Sequence, residues 1–147
     1  MEERVGIFVF ALAIGLIVSV HLAMNSRAGE LLGSVRIANA IFWSGGAICA
    51  LFIAATSGEL AALGKLSNVP GWLWLAGVLG ASLVLAIAWS MQKIGVGPTT
   101  AALLTGQLIS AALISHLGFL TDHPVPLDVT RLLGLAAIAV GAVLVVR

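Results

Sequence analysis

VGIFVFALAIGLIVSVHLAM, residues 5–24, is the stretch that decides the fold. It carries no Lys, Arg, Asp or Glu, and it follows the charged trio Glu2, Glu3 and Arg4. At 1.5 Å rise per residue, about 20 helical residues cross the roughly 30 Å hydrocarbon core of a bilayer. The apolar run is continuous rather than alternating, so it fits a membrane-spanning helix and not a strand of a membrane barrel.

The same pattern recurs along the chain. Further spans are expected at residues 35–56, 71–91, 98–119 and 127–146. Pro98 stands in the first turn of the fourth, where a helix tolerates it. Asp122-His123-Pro124-Val125-Pro126 breaks the chain before the fifth. The connections are residues 25–34, 57–70 and 92–97, and the charged residues fall in them or near span ends. The chain is 61% hydrophobic and only 9% charged, against about 25% charged in an ordinary soluble domain. The expected fold is therefore an all-α integral membrane protein: one domain of five transmembrane helices, multi-pass in a cell membrane. The net charge of +1 offers nucleic acid no footprint. The single cysteine, Cys49, cannot form a disulfide within the chain. The first span is expected to stay in the protein, because its flank is acidic and its apolar run exceeds that of a signal peptide.

The loop charges bear on orientation. With five spans, one side of the membrane holds Arg4, Lys65 and Arg131, and the other holds Arg27, Arg36, Lys93 and Arg147. The positive-inside rule acts through a Lys/Arg excess, and three against four is almost no excess. Insertion in both orientations is the expectation, with a single topology set by other signals as its alternative. Two copies of opposite orientation form an inverted repeat, the arrangement many transporters build within one chain. The pair is an antiparallel homodimer of ten helices with room for a small-molecule site between its halves.

Polar side chains within spans are costly and tend to face a cavity or a neighbouring helix. His21 and Asn25 lie four apart on the first span. Arg36, Asn39 and Trp43 form a stripe on the second, and Gln107 and Ser110 lie three apart on the fourth. These helices could converge on a polar substrate cavity walled by Trp43, or the same groups could hydrogen-bond between helices. Asn25 and Arg36 also lie near span ends, which favours interfacial anchoring, with Arg36 snorkelling. Trp72, Trp74 and Trp89 are placed as belt residues. Gly134, Ala137 and Gly141 line one side of the fifth span and suit a close helix or dimer contact.

Several segments carry a family resemblance: His21-Leu22-Ala23-Met24-Asn25, Asn39-Ala40-Ile41-Phe42-Trp43-Ser44-Gly45 and Gly71-Trp72-Leu73-Trp74-Leu75-Ala76-Gly77-Val78-Leu79-Gly80. To these add Gly106-Gln107-Leu108, Ile114-Ser115-His116-Leu117-Gly118, Pro124-Val125-Pro126 and Arg131-Leu132-Leu133-Gly134. In order and spacing the chain resembles the small five-helix, YdcZ-type branch of the drug/metabolite transporter superfamily. The resemblance implies a ten-helix assembly of inverted halves, small-molecule transport and a bacterial inner-membrane location. His21 stands where that family usually has Gln, and Ser115 where an Asp is often seen, so no coupling role for that Asp carries over.

No Asp or Glu lies within an expected span. A membrane carboxylate is therefore not on hand for proton coupling or for binding multivalent cations. His21 is the deepest titratable group, and imidazole changes charge near physiological pH. His116 is a second candidate. Neutral, zwitterionic or weakly amphipathic solutes suit such a cavity. No nucleophile–base set, phosphate loop or metal-ligand cluster appears, so no enzyme activity, cofactor or metal is expected. The function expected is small-molecule transport, most simply export, by alternating access. The alternatives are a non-transporting accessory or structural subunit, or one half of an obligate heterodimeric transporter.

Overall fold

A computed structural model describes residues 2–118, 120 and 124–146, with side chains from Val5 onward. Asp122 and His123 of the breaker segment, the side chain of Arg4 and the residue Arg147 lie outside the described residues. Among the described residues the regular structure is entirely helical: α1 (Glu2–Leu31), α2 (Val35–Thr56), α3 (Leu75–Ile94), α4 (Val96–Leu117) and α5 (Val129–Val146). Two 3₁₀ segments, Leu60–Asn68 and Gly71–Trp74, join α2 to α3. Among the described residues five stretches are long and apolar enough to cross a membrane.

The chain divides into two compact units, Met1–Gln92 and Lys93–Arg147. In the first, α1 packs on α2, and α3 joins them through hydrogen bonds to both. In the second, α4 packs on α5.

The first boundary differs from expectation. α1 does not stop at Met24 but runs 30 residues, to Leu31. At 1.5 Å per residue that is about 45 Å, more than the hydrocarbon core requires. Residues 25–31 contain no proline, and Asn25 and Ser26 find partners on neighbouring helices instead of needing water. The turn to α2 comes at Gly33, whose φ of 66° lies in the left-handed region that side chains avoid. Ser34 then caps α2, its hydroxyl accepting from the Ile37 N–H at 3.3 Å.

Smaller shifts follow local chemistry. The third span opens with one 3₁₀ turn, Gly71–Trp74, after Pro70, and becomes α-helical at Leu75. α4 starts at Val96, keeping Pro98 in the first turn, and ends at Gly118 in the left-handed conformation. α5 starts at Val129 because Asp128 caps it, its Oδ1 accepting from the Arg131 N–H at 2.8 Å.

Candidate functional site

Within the first unit the polar residues of α1 and α2 meet. Asn25 is only 2% exposed and Asn39 8%. The Asn25 Nδ2 donates to Asn39 Oδ1 at 3.4 Å, and the Asn39 Nδ2 donates to the Ala81 carbonyl of α3 at 3.1 Å. A carbonyl can only accept, so the α3 contact fixes which end of the Asn39 amide faces Asn25. Asn25 must then present its NH₂, and its Oδ1 is left over. That oxygen is sealed from solvent and has no partner among the described residues; the same is true of Trp43 Nε1. A buried acceptor and a buried donor thus belong to residues on either side of Asn39 in the chain. Leaving such a group unpaired costs about 1–3 kcal/mol.

His21 lies one turn before Asn25 on α1. Its ring sits 4.4 Å from that of Phe42 on α2, tilted by 47°, and Phe42 meets Trp43 edge-on at 6.5 Å. His21, Met24 and Asn25 of α1 and Ala38, Ile41 and Phe42 of α2 line a pocket of about 240 Å³ whose walls are almost wholly apolar. The tip of the Trp43 indole lies 3.2 Å from where a Cβ on Gly80 would stand, so α3 approaches this ring closely only because residue 80 is glycine.

A second layer of contacts lies toward the end of α1. The Ser26 hydroxyl donates to the Ala88 carbonyl at 3.2 Å, and Gln92 Nε2 donates to the Ser26 carbonyl at 3.0 Å. Ser26 and Gln92 are not among the expected site residues, and Gly80 enters there only as the end of the Gly71–Gly80 resemblance segment. A polar residue at the end of a span is the signal that could have found Gln92, whereas Gly80 has none apart from its neighbour across the helix pair. Beside these contacts, a cavity of about 530 Å³ opens between the first turn of α2, including Arg36, and the α3 face bearing Ser82 and Trp89.

The structure thus brings together His21, Asn25, Asn39 and Trp43. The assignment of Asn25 to interfacial anchoring is corrected: it is buried and bonded, because α1 continues past it. Arg36 is exposed, as are Trp72, Trp74 and Trp89. Gln107 and Ser110 lie on α4 in the second unit and are exposed, with the Ser110 hydroxyl donating to the Gly106 and Gln107 carbonyls. His116 Nδ1 accepts from the Leu127 N–H at 3.2 Å, which ties the end of α4 to the approach of α5. On α5, Gly134 and Ala137 are exposed and Gly141 is partly covered; a Cβ at Gly134 or Gly141 would meet nothing within 4 Å. α4 and α5 pack on each other, and Ala102 and Thr105 of α4 and Ala139 and Ala142 of α5 border a cleft between them. Among the described residues no group of His, Cys, Asp and Glu could hold a metal ion.

The family model described as "Putative inner membrane exporter, YdcZ" matches residues 6–144. The chain belongs to this family. The match spans all five helices, so it covers both units and every candidate site residue. Neither a curated protein nor a solved structure matches the chain. Membership in a family so described supports a transport role in an inner membrane, with the lipid bilayer and a small-molecule substrate as partners.

Proposed function

We propose that this YdcZ-family protein exports small molecules by alternating access, as an antiparallel pair of five-helix chains in a bacterial inner membrane. The observation that carries this reading is the exporter-family match over residues 6–144. Two features of the chain support the finer mechanism. Its loop charges divide almost evenly between the two sides, which lets the chain insert both ways up and gives each copy an inverted partner. The α1–α2–α3 contact also holds an unpaired Asn25 acceptor and an unpaired Trp43 donor. Groups that are unpaired when helices are closed gain partners when the helices part around a polar solute, so a solute can bias such an equilibrium.

In this mechanism His21, Asn25, Asn39 and Trp43 bind solute from α1 and α2, and Gln107 and Ser110 bind it from α4. Gly134, Ala137 and Gly141 serve a helix or dimer contact. No carboxylate belongs to this set: Glu30, which the longer α1 brings within the first span, pairs with Arg27 at 2.7 Å. As the drug/metabolite transporter resemblance implies, the working unit has ten helices.

Two measurements test the proposal. Purified protein in liposomes is screened for flux of neutral, zwitterionic and amphipathic solutes, and reporters fused to the C-terminal end are assayed on both sides of the membrane. Solute-dependent flux and reporter activity on both sides are expected. A single exclusive orientation refutes the homodimer of inverted copies, and flux in no solute class leaves the accessory-subunit alternative standing.

A further inference from the structure

The connection between α2 and α3 is longer than joining them requires. The two helices touch at the Asn39–Ala81 bond and at Trp43 against Gly80. Neighbouring helices are usually joined by about 2–8 residues. Here α2 ends at Thr56, and the next span opens only at Gly71.

Much of the added chain is the 3₁₀ helix Leu60–Asn68. A 3₁₀ helix turns once every three residues, so side chains three apart eclipse. Leu60, Leu63 and Leu66 therefore stand in one row, and they are 54%, 59% and 47% exposed. Ala62, Lys65 and Asn68 form a second row, and Ala61, Gly64 and Ser67 a third. Glu59 precedes the first turn. Ser57–Glu59 on one side and Val69–Pro70 on the other tie this helix to two membrane spans, so its ends stay within roughly 7–10 Å of the span ends. Trp72 and Trp74, both exposed, follow at once and mark the interfacial level.

We propose that Leu60–Asn68 lies in the plane of the membrane surface as an anchor for anionic phospholipid. Its Leu60–Leu63–Leu66 row sits at the boundary of acyl chains and headgroups, and Lys65 rests on lipid phosphates. Interfacial segments of this kind bind through buried apolar side chains together with attraction of basic groups to an anionic leaflet. The anchor sets the depth at which α3 enters the bilayer. It rests on the membrane-spanning fold alone and stands whether or not the protein transports.

The test uses the full chain in a Cys49→Ala background, in nanodiscs of phosphatidylcholine and phosphatidylglycerol. Each position from 60 to 68 in turn carries a cysteine with a nitroxide label, and accessibility is read against oxygen, which favours lipid, and a nickel chelate, which favours water. Oxygen access should peak at 60, 63 and 66, and nickel access at 62, 65 and 68. Uniform nickel access overturns the proposal, as does a leucine row shielded from both reagents, which would place protein on that face. In a second arm, Lys65→Gln should reduce the preference for spin-labelled phosphatidylglycerol over phosphatidylcholine by up to about five-fold, the effect of one basic residue near an anionic surface. An unchanged preference overturns the contact of Lys65 with lipid phosphate.

Discussion

Asn39→Leu tests whether the α1–α2–α3 contact is the buried polar seam described above. The substitution removes two hydrogen bonds, one to the Ala81 carbonyl at 3.1 Å and one from Asn25 at 3.4 Å. Side-chain hydrogen bonds between membrane helices average about 0.6 kcal/mol, so their direct loss costs about 1 kcal/mol. The Ala81 carbonyl keeps its bond within α3 and is not orphaned. Asn25 fares worse: it is 2% exposed and its Oδ1 is already unpaired, so its NH₂ is now stranded as well. That adds about 1–3 kcal/mol, for a total of about 2–4 kcal/mol. Asn25→Leu alone strands Asn39 Oδ1 in the same way. Replacing both partners with leucine leaves no orphan at this pair, so the double variant should lose only about 1 kcal/mol. Reversible unfolding in mixed micelles, run as a double-mutant cycle, gives the three values. Additive losses, to within about 0.5 kcal/mol, would falsify the seam, because independent sites add. Solute flux measured on the stable double variant then separates packing from binding: loss of flux with retained stability assigns the asparagines to the solute path.

Gly80→Leu should destabilise the first unit by about 1–3 kcal/mol, because the added side chain must displace the Trp43 ring that now stands 3.2 Å from the Cβ position; an unchanged melting temperature would show that α3 does not pack against Trp43. Gln107→Ala should weaken solute affinity roughly 5- to 150-fold with dimer content intact, the equivalent of about 1–3 kcal/mol for a hydrogen-bonding group left unpaired. Normal flux at sub-saturating solute would move the site off α4. Gly141→Leu should lower crosslinking yield and detergent-stable dimer without unfolding the chain, since a Cβ at this position meets nothing within 4 Å; a dimer that persists while folding fails would assign Gly141 to packing within the chain.

Hydropathy alone located all five helices, most of their ends falling within a few residues of those observed, because the cost of placing a charged or polar group in hydrocarbon is written position by position. Helical spacing likewise put His21 with Asn25, and Asn39 with Trp43, on shared faces. The end of α1 was not legible: Asn25, Ser26 and Arg27 look like a loop when each is priced as though alone in lipid. What keeps the helix going is supplied by Asn39, 14 residues away, and by the Ala88 carbonyl on α3. Backbone carbonyls such as those of Ala81 and Ala88 carry no sequence signature, so partners for Asn39 and Ser26 could not be chosen from residue types. The role of Gly80 depends on the Trp43 ring that reaches it from another helix. The sequence by itself determined that this chain spans a membrane five times, because that follows from the solvation of each segment taken separately. Only the tertiary structure decided which buried polar groups are satisfied and which are left open, because hydrogen-bond satisfaction belongs to pairs of groups that folding brings together.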